Sequence, residues 1–501
     1  MSQESNMSNA TSPDAQLGVS GLDDVLRGGL ERSRCYLLEG SPGAGKTTIA
    51  LQFLLAGAAA GERCLYITLS ETEGELRATA TSHGWALDGI DIYELVPPEN
   101  LLDEDQQQSL LYSSDLELGE TTKRIFEAFK AGKPQRVVLD SLSEIRLLAQ
   151  SSLRYRRQIL ALKHFFAKSG ATVLLLDDLS ADANDKTVHS IAHAVIRLDE
   201  LSPEYGGERR RLRVLKYRGR RYRGGFHDFV IETGGVRVFP RLVSAEHRNR
   251  FERGLLTTDS NELNALLGGG VERGSSLLLL GPAGTGKSLL ALTFIKTAIE
   301  RGETAAMFVF DEEVGLLVQR ALGLGIDLQK MVDDKKLVLE QVDAAELSPG
   351  EFSARVRQCV EVYSARTVVV DSLNGYQAAM PAEHALTLHM HELLQYLNRQ
   401  GATTILTVAQ HGLVGDMKTP VDITYLADTV ILLRYFEAMG RVRRAISVVK
   451  KRMGEHENTI REYQIGGRGI TLGEPLTGFQ GILRGVPSLV GEAPLLKRET
   501  A

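Results

Sequence analysis

Two nine-residue stretches carry the residue types that phosphate chemistry needs. Gly40-Ser41-Pro42-Gly43-Ala44-Gly45-Lys46-Thr47-Thr48 and Gly281-Pro282-Ala283-Gly284-Thr285-Gly286-Lys287-Ser288-Leu289 both follow the pattern GxxxxGK[ST]. The glycines let the backbone curl so that its N–H groups face the β- and γ-phosphates of a nucleotide. Lys46 and Lys287 bring a positive charge to those phosphates, and Thr47 and Ser288 place a hydroxyl where Mg2+ takes an oxygen ligand. A glycine-rich turn without chemistry would not also stand between an apolar run and a helical pattern, as both stretches do. The positive end of the following helix adds to the field at each loop. Both stretches are expected to hold ATP.

Hydrolysis needs two further parts: an acid that holds the metal and a group that orients or deprotonates water. Asp140 in "RVVLDSLSEI" and Asp371 in "TVVVDSLNGY" end apolar runs at matching points after the two loops. A lone aspartate after a strand is usually a turn residue; the matched placement favours Mg2+, held through its water shell together with Thr47 and Ser288. The acids after the next strand are candidate water-activating groups: Glu71 in the first half, preceded by Ser70, and Asp311 with Glu312 in the second. Glu313 reads as a solvated turn acid. With a hydroxyl where the second half has a carboxylate, the first half is expected to contribute less hydrolysis.

The elements that must position these groups are themselves written twice. Lys287 follows Lys46 by 241 positions. "GLDDVLRGGLER" before the first loop is echoed by "ELNALLGGGVER" before the second, and "VLKYRG" by "VVKKRMG". A period of this length means a duplicated domain rather than a solenoid repeat. Continuous apolar runs such as Cys64–Thr68, Arg136–Asp140 and Thr172–Leu176 alternate with helical patterns, one of which ends at the C-cap candidate Gly170. That is the pattern of an α/β fold: in each half a mostly parallel sheet covered by helices on both faces. "HDFVIETGGVRVFP" reads as a hairpin closing the first half. The expected boundaries are a disordered tail over 1–16, domains over 17–245 and 246–487, and a short flexible tail over 488–501.

The chain has 501 residues, 43% hydrophobic and 24% charged, which suits a globular protein of two or three domains. A net charge of −6 argues against a general nucleic-acid or membrane binder. Cys35, Cys64 and Cys359 are far apart, which points to a reducing compartment, and Cys64 reads as a small buried strand residue. The polar N-terminus has no secretory h-region, and no apolar stretch is long enough to span a bilayer, so a cytoplasmic location is expected. His411 and His456 have no Cys or carboxylate spacing that would make them metal ligands.

These residues together resemble the KaiC family, a RecA-like branch of the P-loop ATPases. The resemblance runs from about Leu17 to Pro487 and rests on "GVSGLDDVLRGGLERSRCYLLEGSPGAGKTT", "YITLSET" and "VLKYRG", then "FVFDEE", "ITYLADTVILLRY" and "ISVVKKRMGEHENTIREY". It implies two tandem RecA-like domains in an ATP-dependent homohexamer of two stacked rings, with ATP between neighbouring subunits. It implies that Asp311 and Glu312, and Glu71 alone in the first half, activate water. Lys216 with Arg218, and Lys450 with Arg452, would reach a neighbour's nucleotide. Gln410 would sense the γ-phosphate. The family's serine/threonine autokinase acts on a Ser followed by a Thr; here Thr424-Tyr425 stands in that place, so Thr424 is the candidate phosphosite and Tyr425 is expected to stay unmodified. The downstream signalling partner is not implied.

The alternative is a RecA-like recombinase or helicase. Its support is "RRRLRVLKYRGRRYRGG", whose arginines could track nucleic-acid phosphates. The acidic total charge weighs against it.

Overall fold

The structure, a computed structural model, describes residues 14–95, 110–179, 187–202, 206–378, 383–410, 424–466, 469–484 and 487–491. The chain divides into two compact units, Met1–Arg241 and Leu242–Ala501. Each contains one nine-stranded sheet.

We number the sheet strands β1 Cys35–Gly40, β2 Cys64–Thr68, β3 Ile90–Glu94, β4 Arg136–Asp140, β5 Thr172–Asp178, β6 Ala194–Leu201, β7 Arg209–Tyr217, β8 His227–Glu232 and β9 Gly235–Phe239 in the first unit. Their order across the sheet is β3-β2-β4-β5-β1-β6-β7-β8-β9. The first six are parallel and the last three form an antiparallel meander. The second unit has β10 Ser276–Gly281, β11 Thr304–Val309, β12 Leu337–Gln341, β13 Ala365–Asp371, β14 Thr403–Ala409, β15 Thr429–Ala438, β16 Arg441–Lys451, β17 Arg461–Gly466 and β18 Gly469–Pro475. Its order, β12-β11-β13-β14-β10-β15-β16-β17-β18, is the same topology strand for strand.

The apolar runs are continuous because both faces of each sheet are covered. Along β1, Tyr36 and Leu38 enter one buried cluster while Cys35 and Leu37 enter the other, as the two-residue period of a strand requires. Leu277 and Leu279 separate from Leu278 and Leu280 in the same way on β10. Local signals end the helices. Ser151 caps Ser152–Ser169 through the Arg154 amide, and Gly170, at φ 75°, closes it. Thr72 and Glu75 form a capping box on Glu73–Ser82.

The domain ends fall differently from the sequence reading. Asp14–Ala15 pairs with Leu30–Glu31, and the Gln16 carbonyl accepts from buried Arg136, so residues 14–16 belong to the first domain; residues 1–13 lie outside the described residues. Leu242 packs in a core of the second unit and the Ser244 amide donates to Glu392, which draws 242–245 across the expected boundary. At the other end, Ser488–Leu489 pairs with Phe479–Gln480. No described helix is long and apolar enough to cross a membrane.

Candidate functional sites

In each unit the loop after the central strand leads into a helix, Lys46–Ala59 or Lys287–Glu300, whose first residue is the motif lysine. The residue before it must be glycine: Gly45 and Gly286 have φ of 92° and 94°. A Cβ there would also strike Ile231 of β8 or Ile465 of β17, so the terminal hairpins buttress the loops. Thr48 is buried and Leu289 packs into a core, so these two side chains serve the helix rather than the ligand.

In the first unit, Lys46 Nζ donates to Gly40 O and Ser41 O, both at 2.9 Å, and pairs with Asp178 Oδ1 at 2.8 Å. Asp140, buried at the end of β4, accepts from the wholly buried Tyr66 hydroxyl at 2.6 Å. Burial raises the Asp140 pKa, against the Tyr66 hydrogen bond and the Lys46 charge. The turn after β2 is pinned by Thr68, whose Oγ1 donates to Glu71 O at 2.7 Å and accepts from Glu71 N at 2.9 Å. The buried Glu71 Oε2 has no hydrogen-bond partner. Burial, followed by the charges of Asp140 and Glu75, raises the Glu71 pKa, while Lys46 opposes the shift. Glu71, Lys46 and Asp140 therefore share one electrostatic site.

The second unit repeats the frame with different side chains. Lys287 Nζ donates to Gly281 O at 3.0 Å and Pro282 O at 2.9 Å. Burial lowers its pKa, partly offset by the Asp371 carboxylate. Asp371 is held by Thr407 Oγ1 at 2.5 Å, where the first unit uses Tyr66 from another strand. Asp311 accepts from the hydroxyl of Ser372, the residue after Asp371, and Gly375 leaves room for it: a Cβ there would lie 2.5 Å from Asp311 Oδ1. Glu312 is instead paired with Arg320 at 2.7 Å, on the next helix. Glu313 caps that helix, accepting from the amides of Gly315 and Leu316 at 2.8 Å. Of the paired acids read from the sequence, Asp311 is held by the residue that follows Asp371, while Glu312 is turned to Arg320. Tyr66, Thr407 and Asp178 were missed, since each meets its partner from another element at a position with no motif of its own; Ser372 was missed although it lies within "TVVVDSLNGY", because its partner Asp311 is distant in sequence.

A family model described as "ATPase: KaiC" matches residues 15–243 and again 256–477. The chain belongs to the KaiC ATPase family. The circadian clock protein KaiC3 of Synechocystis sp. is 28% identical over 487 residues, spanning 95% of this chain and 95% of that protein. The circadian clock oscillator proteins KaiC of Thermostichus vulcanus and Synechococcus elongatus are 28% and 27% identical over 487 and 492 residues, each spanning 94% of this chain and 91% of the relative. The KaiC fold of two tandem RecA-like α/β domains is thus shown, and with it an ATP-binding ATPase.

In this KaiC-family chain Lys216 and Lys450 lie near the ends of β7 and β16, and Arg218 and Arg452 just beyond them. A register shift at Val195/Ile196 against β7, and at Val430/Ile431 against β16, marks the strand just before Lys216 and Lys450. Lys216 Nζ donates to His189 O, and Arg218 to Ser190 O at 2.5 Å. Burial, with Arg218 and Lys163 nearby, lowers the Lys216 pKa. Lys450 Nζ donates to Thr424 O at 2.8 Å and Ala427 O at 2.7 Å, while Arg452 holds Tyr425 O at 2.7 Å and Asp428 Oδ1 at 3.2 Å. The Thr424 segment and both cations thus form one unit. Tyr425 is 53% exposed.

Several cations of the arginine-rich segment are paired within their own unit, although buried nitrogens of others, such as Arg213 Nε, have no hydrogen-bond partner. Arg210 pairs with Glu200 and Glu208, Arg220 with Asp14, and Arg223 donates to Arg241 O. Gln410 directly follows β14 and has a buried, unpartnered Oε1. The thiol pKa values are pushed up by burial, to about 12 for Cys35 and Cys359 and about 11 for Cys64, so none is a reactive thiolate. Among the described residues no group of three His, Cys, Asp or Glu could hold a metal, and His411 lies outside them.

Proposed function

We propose that the chain is a self-assembling signalling ATPase, an ATP-dependent double-ring homohexamer that hydrolyses ATP in both domains and transfers phosphate to its own Thr424. The observation that carries this is the double occurrence, in one topology, of a buried P-loop lysine, a strand-end aspartate and an acid beside it, with a pair of cations at the end of a late strand. Each site offers one hydroxyl and one buried carboxylate, Thr47 with Asp140 and Ser288 with Asp371. That sparse oxygen set suits Mg2+, which keeps waters and takes substrate phosphates as its other ligands. When bound, the ion would neutralise the phosphate charge that develops in transfer.

In the first domain, Glu71 is the group to take a proton from the attacking water: it is rigidly placed, unpartnered, and less acidic than a free glutamate. This geometry argues against the weaker first half expected from Ser70. In the second domain, Asp311 takes that role towards water or the Thr424 hydroxyl, and Glu312 does not. Lys450 and Arg452, now bound to carbonyls of the Thr424 segment, would exchange them for a neighbour's nucleotide. The test is a steady-state ATPase assay joined to sedimentation with and without Mg-ATP. Turnover together with an ATP-driven hexamer is expected; a monomer under both conditions would sink the reading. The recombinase alternative gains nothing from the ion pairs of the arginine segment.

A further inference from the structure

An ammonium group has three hydrogens. In the first domain all three of Lys46 are taken by the chain itself: Gly40 O, Ser41 O and Asp178 Oδ1, at 2.9, 2.9 and 2.8 Å. In the second domain Lys287 makes the same two backbone bonds, and among the described residues no side chain takes the third hydrogen. The difference is built into the frame. Asp178 ends β5 as Ala409 ends β14. Ser143, three residues after Asp140, holds Asp178 from behind: its hydroxyl accepts from Asp178 N at 3.3 Å and its single hydrogen is shared between Asp177 Oδ1 at 3.2 Å and Asp178 Oδ2 at 3.3 Å. Asn374, three residues after Asp371, holds Ala409 likewise, through Ala409 N at 2.7 Å and Ala409 O at 3.0 Å. One clamp, used twice, fixes a strand end that carries a carboxylate to the lysine in one domain and has only an alanine at the equivalent register in the other.

We infer that Asp178 is a built-in occupant of the phosphate position on Lys46, a carboxylate that a nucleotide phosphate must displace, so that it sets a lower nucleotide affinity in the first domain than in the second. The inference rests on the reading that both loops bind nucleotide. Lys46 is buried and the Asp178 side chain is 39% exposed. Such a pair lies between a surface ion pair and a buried one, and its loss is expected to change affinity about tenfold, or ~1.4 kcal/mol. Whether the displaced carboxylate turns to solvent or stays beside the phosphate, it weakens binding.

The test uses the full chain with one loop silenced. In a Lys287→Ala background, binding of a fluorescent non-hydrolysable ATP analogue with Mg2+ reports the first domain. Asp178→Asn, which keeps the Ser143 contacts, is expected to tighten binding about tenfold. In a Lys46→Ala background, Ala409→Asp is expected to weaken the second domain by a similar factor. Unchanged affinity in Asp178→Asn overturns the inference while leaving nucleotide binding intact. Weaker binding overturns it too, and makes Asp178 a ligand of the metal or nucleotide. No binding in the first domain, with or without the substitution, removes both the inference and the reading beneath it.

Discussion

Replacing Glu71 by glutamine keeps the shape of the side chain and removes only its ability to accept a proton. The hydroxyl of Thr68 holds the Glu71 backbone, so the turn should survive the change. The buried Oε2 has no hydrogen-bond partner to lose, and the nearby Asp140 charge is better tolerated by an amide. A positioned base contributes roughly 10²- to 10⁴-fold, or about 2.7 to 5.4 kcal/mol of barrier. In a Lys287→Ala background, Glu71→Gln should therefore lower single-turnover hydrolysis by that factor and leave nucleotide affinity unchanged or slightly higher. The pH dependence carries a sign. Because the folded-state pKa is raised, hydrolysis by the first domain is lost as pH falls through a value above the ordinary glutamate range, and Glu71→Gln removes that acid limb. Any stability linked to this group is present below the unfolded-state pKa and lost as pH rises through the folded one. Glu71→Gln should thus be neutral or stabilising near pH 7. A loss below tenfold with nucleotide still bound would refute the assignment. So would an unchanged acid limb.

Three further outcomes are expected. Arg452→Ala should depress turnover in the second domain far more than nucleotide binding, since a trans-acting arginine is worth roughly 10³ to 10⁵ in rate; an equal effect on both would make it a structural clamp on the Tyr425 carbonyl. Incubation with Mg-ATP followed by phosphosite mapping should find phosphate on Thr424, none on Tyr425, and none in Thr424→Ala; ATP hydrolysis without any phospho-Thr424 would leave an ATPase lacking the kinase step. Glu62→Ala should destabilise the first domain by about 3 to 5 kcal/mol, because it leaves Arg136 buried without the carboxylate 2.7 Å away; thermal or urea unfolding of the full chain, resolved by domain, checks it.

The duplication, the P-loops, the strand-end aspartates and the α/β class were legible in the sequence because each is contiguous. A loop that wraps phosphate takes its shape from its own glycines, and a strand buried on both faces declares itself by an unbroken apolar run. The terminal hairpin was legible for the same reason: its turn and alternation lie within "HDFVIETGGVRVFP". The destinations of the acids were not. Glu71 and Glu312 hold equivalent places after β2 and β11, yet one is left unpartnered beside Asp140 and Lys46 while the other is taken by Arg320. What separates them is a residue eight positions on, on another element, and no local pattern predicts that pairing. Tyr66 reaching Asp140, Thr407 reaching Asp371 and Asp178 reaching Lys46 join residues brought together only when separate strands align in one sheet. The sequence by itself determined which groups exist and on which elements they ride. The tertiary structure decided which charge each one meets, because electrostatic partnership depends on distance in space and on burial, and both arise only when the sheet and its helices have packed.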